Sequence, residues 1–256
     1  MRIVVFDTET TGLEKPFAYN IGYAIFDTKS NEILLKRDYV VEQIWHNREL
    51  FTTAYYADKR EGYVSAMRSR KTEMKKLGHI TQQMIRDFAF FEVEGAYAYN
   101  SPFDDRVFEY NCEWFKVKNP FDNIPIYDIR GYVHKCIAFT PEYQEFCDNN
   151  EYFTEKGNYS TTAESVYRYL TQDTEFIESH TALADSEIEL EVLRKCVDEG
   201  CEWAKEYKVY RSITRTKDKH LEIKDTDGKR YVFPYNKITV YKEKDNRTRI
   251  YLRKSE

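Results

Sequence analysis

The chain has 256 residues, 41% of them hydrophobic, which suits one generous domain or a domain with an appendage around a substantial core. No run approaches the ~18–20 apolar residues of a membrane span, and Met1-Arg2 leads straight into Ile3-Val4-Val5-Phe6 without a signal pattern, so a cytoplasmic protein with no membrane partner is expected. The formal net charge of −5 conceals an asymmetry: residues 1–204 carry 23 Lys and Arg against 36 Asp and Glu, net −13, whereas residues 205–256 carry 16 against 8, net +8.

Residues 2–7 are continuously apolar, the mark of a central strand covered on both faces. Strands near 20–28 and 32–41, separated by Lys29-Ser30-Asn31, predict an antiparallel meander. Residues 43–92 are helical in character, with a basic stretch from Lys59 to Lys76. A fourth strand, Ala96-Tyr97-Ala98-Tyr99, leads into a helix whose first turn holds Pro102 and Asp104. A short strand around Ile124–Tyr127 precedes a helix from Ile129 to Ile137, and residues 141–160 read as a loop or lid. Thr161 or Thr162 is placed to cap a helix through Val166, Tyr169 and Leu170, and a last helix spans roughly 181–204. Beyond it four short strand-like segments follow, with Asp227-Gly228 and Asp245-Asn246 as hairpin turns. The predicted organisation is therefore a body, 1–204, and a small basic β-rich extension, 205–256. Five cysteines without CxxC spacing are expected to be reduced thiols.

Three carboxylate-bearing motifs occur in order: Phe6-Asp7-Thr8-Glu9-Thr10-Thr11-Gly12, Asn100-Ser101-Pro102-Phe103-Asp104 and His180-Thr181-Ala182-Leu183-Ala184-Asp185. Asp7 and Glu9 lie two apart on a strand and share a face. Carboxylates so close repel unless a cation sits between them, and they follow an apolar strand at the end where α/β sheets place their sites. Asp104 opens a helix, where capping is an alternative role, yet it lies on one stripe with Val107, Phe108, Asn111 and Phe115. Asp185 shares a face with Ile188, Val192 and Cys196 and points inward. His180, five residues earlier, belongs to the preceding loop.

This ordered set resembles the three motifs of the DEDDh (DnaQ-like, polymerase III epsilon-type) 3′-to-5′ exonuclease family, over roughly residues 1–200. The resemblance implies an α/β ribonuclease H-like fold: a mixed five-stranded sheet flanked by helices. It implies that Asp7, Glu9, Asp104 and Asp185 hold two divalent ions, with Asp7, Glu9 and Asp185 on the tighter one, and that His180 is the general base. The all-oxygen ligand set points to Mg2+ or Mn2+. Thr8, Thr10, Gly12, Leu13, Asn100 and Phe103 would border the terminal nucleotide, with Leu13 as an apolar wedge and Gly12 permitting a tight bend. The implied partner is nucleic acid, single-stranded or frayed DNA ahead of RNA, in proofreading or repair, with a polymerase as a further partner. The alternatives are an exoribonuclease of the oligoribonuclease type and an inactive module that binds nucleic acid or a polymerase. In the extension, Tyr231, Phe233, Tyr235, Tyr241 and Tyr251 among Lys and Arg fit either a solvated basic face or a grip on single strands.

Overall fold

The computed structural model describes residues 1–52, 54 and 59–213, together with the backbone of four strands between 220 and 252. The apolar first segment becomes β1 (Arg2–Thr10), and β2 (Ala18–Asp27) and β3 (Glu32–Val41) complete the expected antiparallel meander. Three short helices, α1 (Glu42–Trp45), α2 (Arg48–Thr52) and α3 (Arg60–Arg68), lead to β4 (Glu73–Lys75), which lies parallel beside β3. Helix α4 (Leu77–Phe90) returns the chain to β5 (Val93–Ala98), parallel to β1; α5 (Ser101–Phe115) then leads to β6 (Ile126–Asp128), parallel to β5. The remaining helices are α6 (Ile129–Cys136), α7 (Pro141–Asn150), α8 (Ala163–Thr171) and α9 (Ala182–Asp198). The sheet order is β4-β3-β2-β1-β5-β6. The mixed, helix-flanked α/β sheet is thus as expected, with β4 as a sixth strand; its three residues, Glu-Met-Lys, are too few for alternation to mark.

The alternation of β1 divides the interior. Val4 and Phe6 pack with residues of α4 and α5 on one face, and Ile3 and Val5 pack with residues of α6 and α9 on the other. Burying both faces of one strand explains why its sequence shows no polar alternation.

Three expectations change. The predicted loop at 141–160 begins with a helix: the Thr140 hydroxyl caps α7 by accepting from the Tyr143 N–H, and Tyr143 and Cys147, four residues apart, are fully buried. Helix α9 stops at Asp198, and Gly200, at φ +101°, turns the chain out of it. The segment that follows continues to pack on the body as far as Ile213, which is 1% exposed and bridges Tyr159. Cys136 and Cys201, 65 positions apart, form a disulfide, contrary to the expectation of five reduced thiols. The fold brings the end of α6 against the turn after α9, a pairing that local cysteine spacing does not reveal. Cys112, Cys147 and Cys196 are free and buried.

In the extension β7 (His220–Lys224) pairs with β8 (Arg230–Pro234), and β9 (Ile238–Lys242) with β10 (Thr248–Leu252), each as an antiparallel hairpin. The expected turns at 227–228 and 245–246 and the aromatic side chains of this region lie outside the described residues.

Candidate active site

Asp7 and Glu9 continue the parity of Ile3 and Val5, so β1 presents both toward the face covered by α9. Their partners across the ladder fix where α9 begins. Gly22 faces Asp7, and a Cβ there would lie 2.1 Å from the Leu183 nitrogen and 2.2 Å from the Ala182 carbonyl carbon. Asn20 faces Glu9 and is completely buried. Its Oδ1 accepts from the Ala182 N–H at 2.8 Å and the Tyr63 hydroxyl at 2.9 Å, while its amide donates to Asp38 Oδ1 at 2.6 Å and the Tyr39 carbonyl at 3.0 Å. A side chain with its hydrogen-bonding capacity so fully used holds the helix start rigidly to the sheet.

The seating of α9 brings Asp185 and the preceding loop over β1. Carboxylate oxygens of Glu9 and Asp185 and a ring nitrogen of His180 all lie within 4.8 Å of one another. Asp185 is buried, and its Oδ1 has no hydrogen-bond partner among the described residues. Burial, and next the charge of Glu9, push the Asp185 carboxyl up to about 8. Burial likewise raises Glu9 to about 7, against the opposing pull of the Lys59 ammonium. His180 sits on the loop with φ 49°, its Nδ1 3.8 Å from Glu178. Burial first, then Lys59, lowers its pKa, which leaves the imidazole neutral near pH 7.

Asp104 arrives from the other side of the sheet. In the first turn of α5 and buried, it accepts at Oδ1 from both the Thr8 N–H and the Thr8 hydroxyl. Burial pushes it to about 7 despite these bonds. Asp7 is held well above the usual carboxylate range, first by burial and then by Asp104, Glu189, Glu9 and Asp185. The compact trio is therefore Glu9, His180 and Asp185, with Asp7 and Asp104 joined to it electrostatically rather than within the same 4.8 Å group.

Around this cluster, Thr10 donates to the Gly12 carbonyl, and Leu13 is 74% exposed at the lip. Arg106 donates to the Leu13 carbonyl at 3.5 Å and lies 5.4 Å over the Phe103 ring, tying the two lip residues together. Asn100 occupies the position before α5 with φ 62°, makes no side-chain capping bond, and is exposed. Gly12 makes no use of its freedom: its φ is not positive, and an added Cβ would meet nothing within 4 Å.

Two contributors escaped the sequence reading. Glu189 is 4% exposed, accepts from the Tyr99 N–H at 3.1 Å and joins the carboxylate cluster, and burial raises its pKa well above normal. The signal was its position four residues after Asp185 on the buried stripe of α9. Asn20 gave no such signal, because its role depends on a partner 162 residues away.

Five carboxylates whose ionisation is opposed by burial and by one another, one with a buried oxygen unpaired among the described residues, fit a hard divalent cation. No protein-family model matches the chain, and no curated protein matches it in sequence. In three dimensions it is similar to the nuclease domain of 3′hExo, a DEDDh family member, bound to rAMP: TM-score 0.56, 14% identity, 83% of this chain and 97% of that one. A structure of 3′-end-specific recognition of histone mRNA stem-loop by a 3′-exonuclease gives TM-score 0.56 at 14% identity, covering 92% of this chain and 91% of that one. Exonuclease I in its apo form gives TM-score 0.50 at 16% identity, covering 77% of this chain but 42% of that one. At these identities the likeness establishes the fold, which is that of the DEDDh exonucleases.

Proposed function

We propose that the chain is a metal-dependent 3′-to-5′ exonuclease that hydrolyses phosphodiester bonds at the 3′ ends of single-stranded or frayed DNA and releases nucleoside 5′-monophosphates. The observation that carries this reading is the convergence of Asp7, Glu9, Asp104, Asp185 and His180 at one end of the sheet, with the Asp185 Oδ1 buried and unpaired among the described residues. Asp7, Glu9, Asp104 and Asp185 would hold the Mg2+ or Mn2+ ions, which when bound supply charge stabilisation at the phosphoryl group and an acidified water. The chain's own work is positional. Thr8 fixes the Asp104 carboxylate, and Asn20 and Gly22 fix α9 and hence Asp185. His180, neutral and near Glu9 and Asp185, accepts a proton from the attacking water at a ring nitrogen. The exposed Leu13, braced through Arg106 against Phe103, packs on the terminal base.

Release of mononucleotides from a 5′-labelled oligonucleotide in magnesium tests the reading. Wild type should shorten the strand stepwise, and Asp7→Ala should not; equal, slow degradation by both would refute it. Closeness of the first motif to the proofreading type favours DNA. The RNA reading is the second, because rAMP occupies the 3′hExo structure whose fold this chain shares. Rates on matched DNA and RNA 3′ ends decide between them, since the 2′-hydroxyl is the distinguishing group.

A further inference from the structure

We infer that a cationic cavity beside the carboxylate cluster binds an upstream phosphate of the strand whose 3′ end is being cut; this rests on the exonuclease reading. The cavity, of ≈ 650 Å³, has Tyr99, Asn100, Arg130, Lys156 and Arg211 in its walls, with Glu155 the one acid among its described lining residues. Three cations, of which Arg211 comes from the basic segment 205–256, against one anion give the described lining a local charge of +2 beside residues 1–204, whose net charge is −13. Lys156 and Arg211 are exposed and have no ion-pair partner among the described residues. Arg130 is half-buried, and its Nε is buried without a hydrogen-bond partner among the described residues. A buried guanidinium N–H without an acceptor is costly. The planar donor set of arginine matches phosphate oxygens two at a time.

The cavity is built in register with the candidate active site. Asp128 Oδ1 accepts from the Asn100 N–H at 3.0 Å and from the Arg130 N–H at 2.9 Å, so one carboxylate fixes both the start of α5, which carries Asp104, and the start of α6. Tyr99 is the shared wall: its backbone N–H donates to Glu189 in the carboxylate cluster, and its hydroxyl donates to the Thr161 carbonyl at 2.6 Å on the cavity side. A strand leaving the carboxylates past Asn100 meets Arg130 next. The phosphodiester backbone repeats one anion per nucleotide, and a second cationic station converts a weak end contact into a processive grip.

The test measures binding and cutting separately. Anisotropy of a labelled ten-nucleotide single strand, in chelator and low salt, should show the Lys156→Ala/Arg211→Ala double variant binding about tenfold more weakly than wild type. Its salt slope should be smaller by roughly 0.7 per lost phosphate contact. In magnesium, kcat/KM on the ten-nucleotide strand should fall at least about fivefold more than on a dinucleotide, which is too short to reach the cavity. Arg130→Gln should reproduce the effect and Arg130→Lys restore part of it, with melting temperatures confirming that each variant is folded. Unchanged affinity and slope, equal losses on both lengths, or saturation by inorganic phosphate with no preference for the strand would each overturn the proposal. If wild type binds the strand and loses it in the double variant yet cuts nothing, the exonuclease reading fails and the cavity's role stands. If it cuts and the variants bind as wild type does, the reverse holds.

Discussion

Thr8 donates twice to a single oxygen of Asp104, from its backbone N–H at 3.1 Å and from its hydroxyl at 2.6 Å. Thr8 lies between Asp7 and Glu9 but points to the opposite face of β1, so one tripeptide supplies two carboxylates to one side and a clamp for a third to the other. Bonds to a charged acceptor contribute about 1.5–3 kcal/mol. Thr8→Val keeps the shape and the N–H but removes the hydroxyl, and should lower kcat/KM by roughly 10- to 100-fold while Thr8→Ser retains most of it. A Thr8→Val enzyme as fast as wild type would show that Asp104 needs no such clamp.

Gly22 should tolerate no side chain. The added methyl of Gly22→Ala would meet backbone atoms of Leu183 and Ala182 at 2.1 and 2.2 Å, and backbone cannot rotate aside. Overpacking of this kind costs about 3 kcal/mol or more. Urea denaturation should show that loss together with a fall in activity, because α9 and Asp185 move off the sheet. Gly12→Ala, with open space around the new methyl, should leave the urea midpoint where it is.

Metal and pH should act together on stability. Burial raises Glu9 to about 7 and Asp185 to about 8, and holds Asp7 well above normal. Carboxyls in the unfolded chain titrate near 4. Raised folded-state values make the protonated forms the stable ones, so their stabilising contribution is full at low pH and is lost as pH rises through 7 to 8. The metal-free protein should therefore gain more in melting temperature from saturating magnesium at pH 8 than at pH 6, because the cation replaces the protons. Equal gains at both values would contradict a carboxylate site of this kind.

His134 should set an acid limit of its own. It is 1% exposed; its Nδ1 accepts from the Tyr210 N–H at 2.9 Å, and its Nε2 lies 3.3 Å from the Thr161 hydroxyl. Burial, then Arg130, lowers its pKa to about 4, while an unfolded histidine titrates near 6.5. Protonation thus favours the unfolded chain, and this stabilisation, full above 6.5, is lost as pH falls toward 4. His134→Gln should be less stable than wild type at pH 7, and the gap should narrow by up to about 2 kcal/mol at pH 5. A gap independent of pH would mean that folding leaves the histidine's proton affinity unchanged.

What the sequence revealed depended on local period. The apolar run of β1 and the inward stripes of α5 and α9 placed Asp7, Glu9, Asp104 and Asp185, because a carboxylate on a core-facing position is anomalous by itself. His180 followed from not fitting the α9 face. The missed features are long-range or short. Asn20 and Gly22 act through contacts with α9 some 160 residues away. Strand β4 has three residues, and the Cys136–Cys201 bond joins elements with no common motif. Helix α7 was hidden because Tyr143, Phe146 and Cys147 give a narrow apolar stripe among acids and asparagines.

The two ends of the body meet at the carboxylates: Asp7 and Glu9 arrive with the first strand, Asp185 with the last helix. Contacts of such large sequence separation form late, after the loop-closure entropy of the intervening chain has been overcome. A nascent polypeptide stalled before residue 182 would hold Asp7 and Glu9 without α9 and Asp185, so the carboxylate cluster closes only once nearly the whole body has been made.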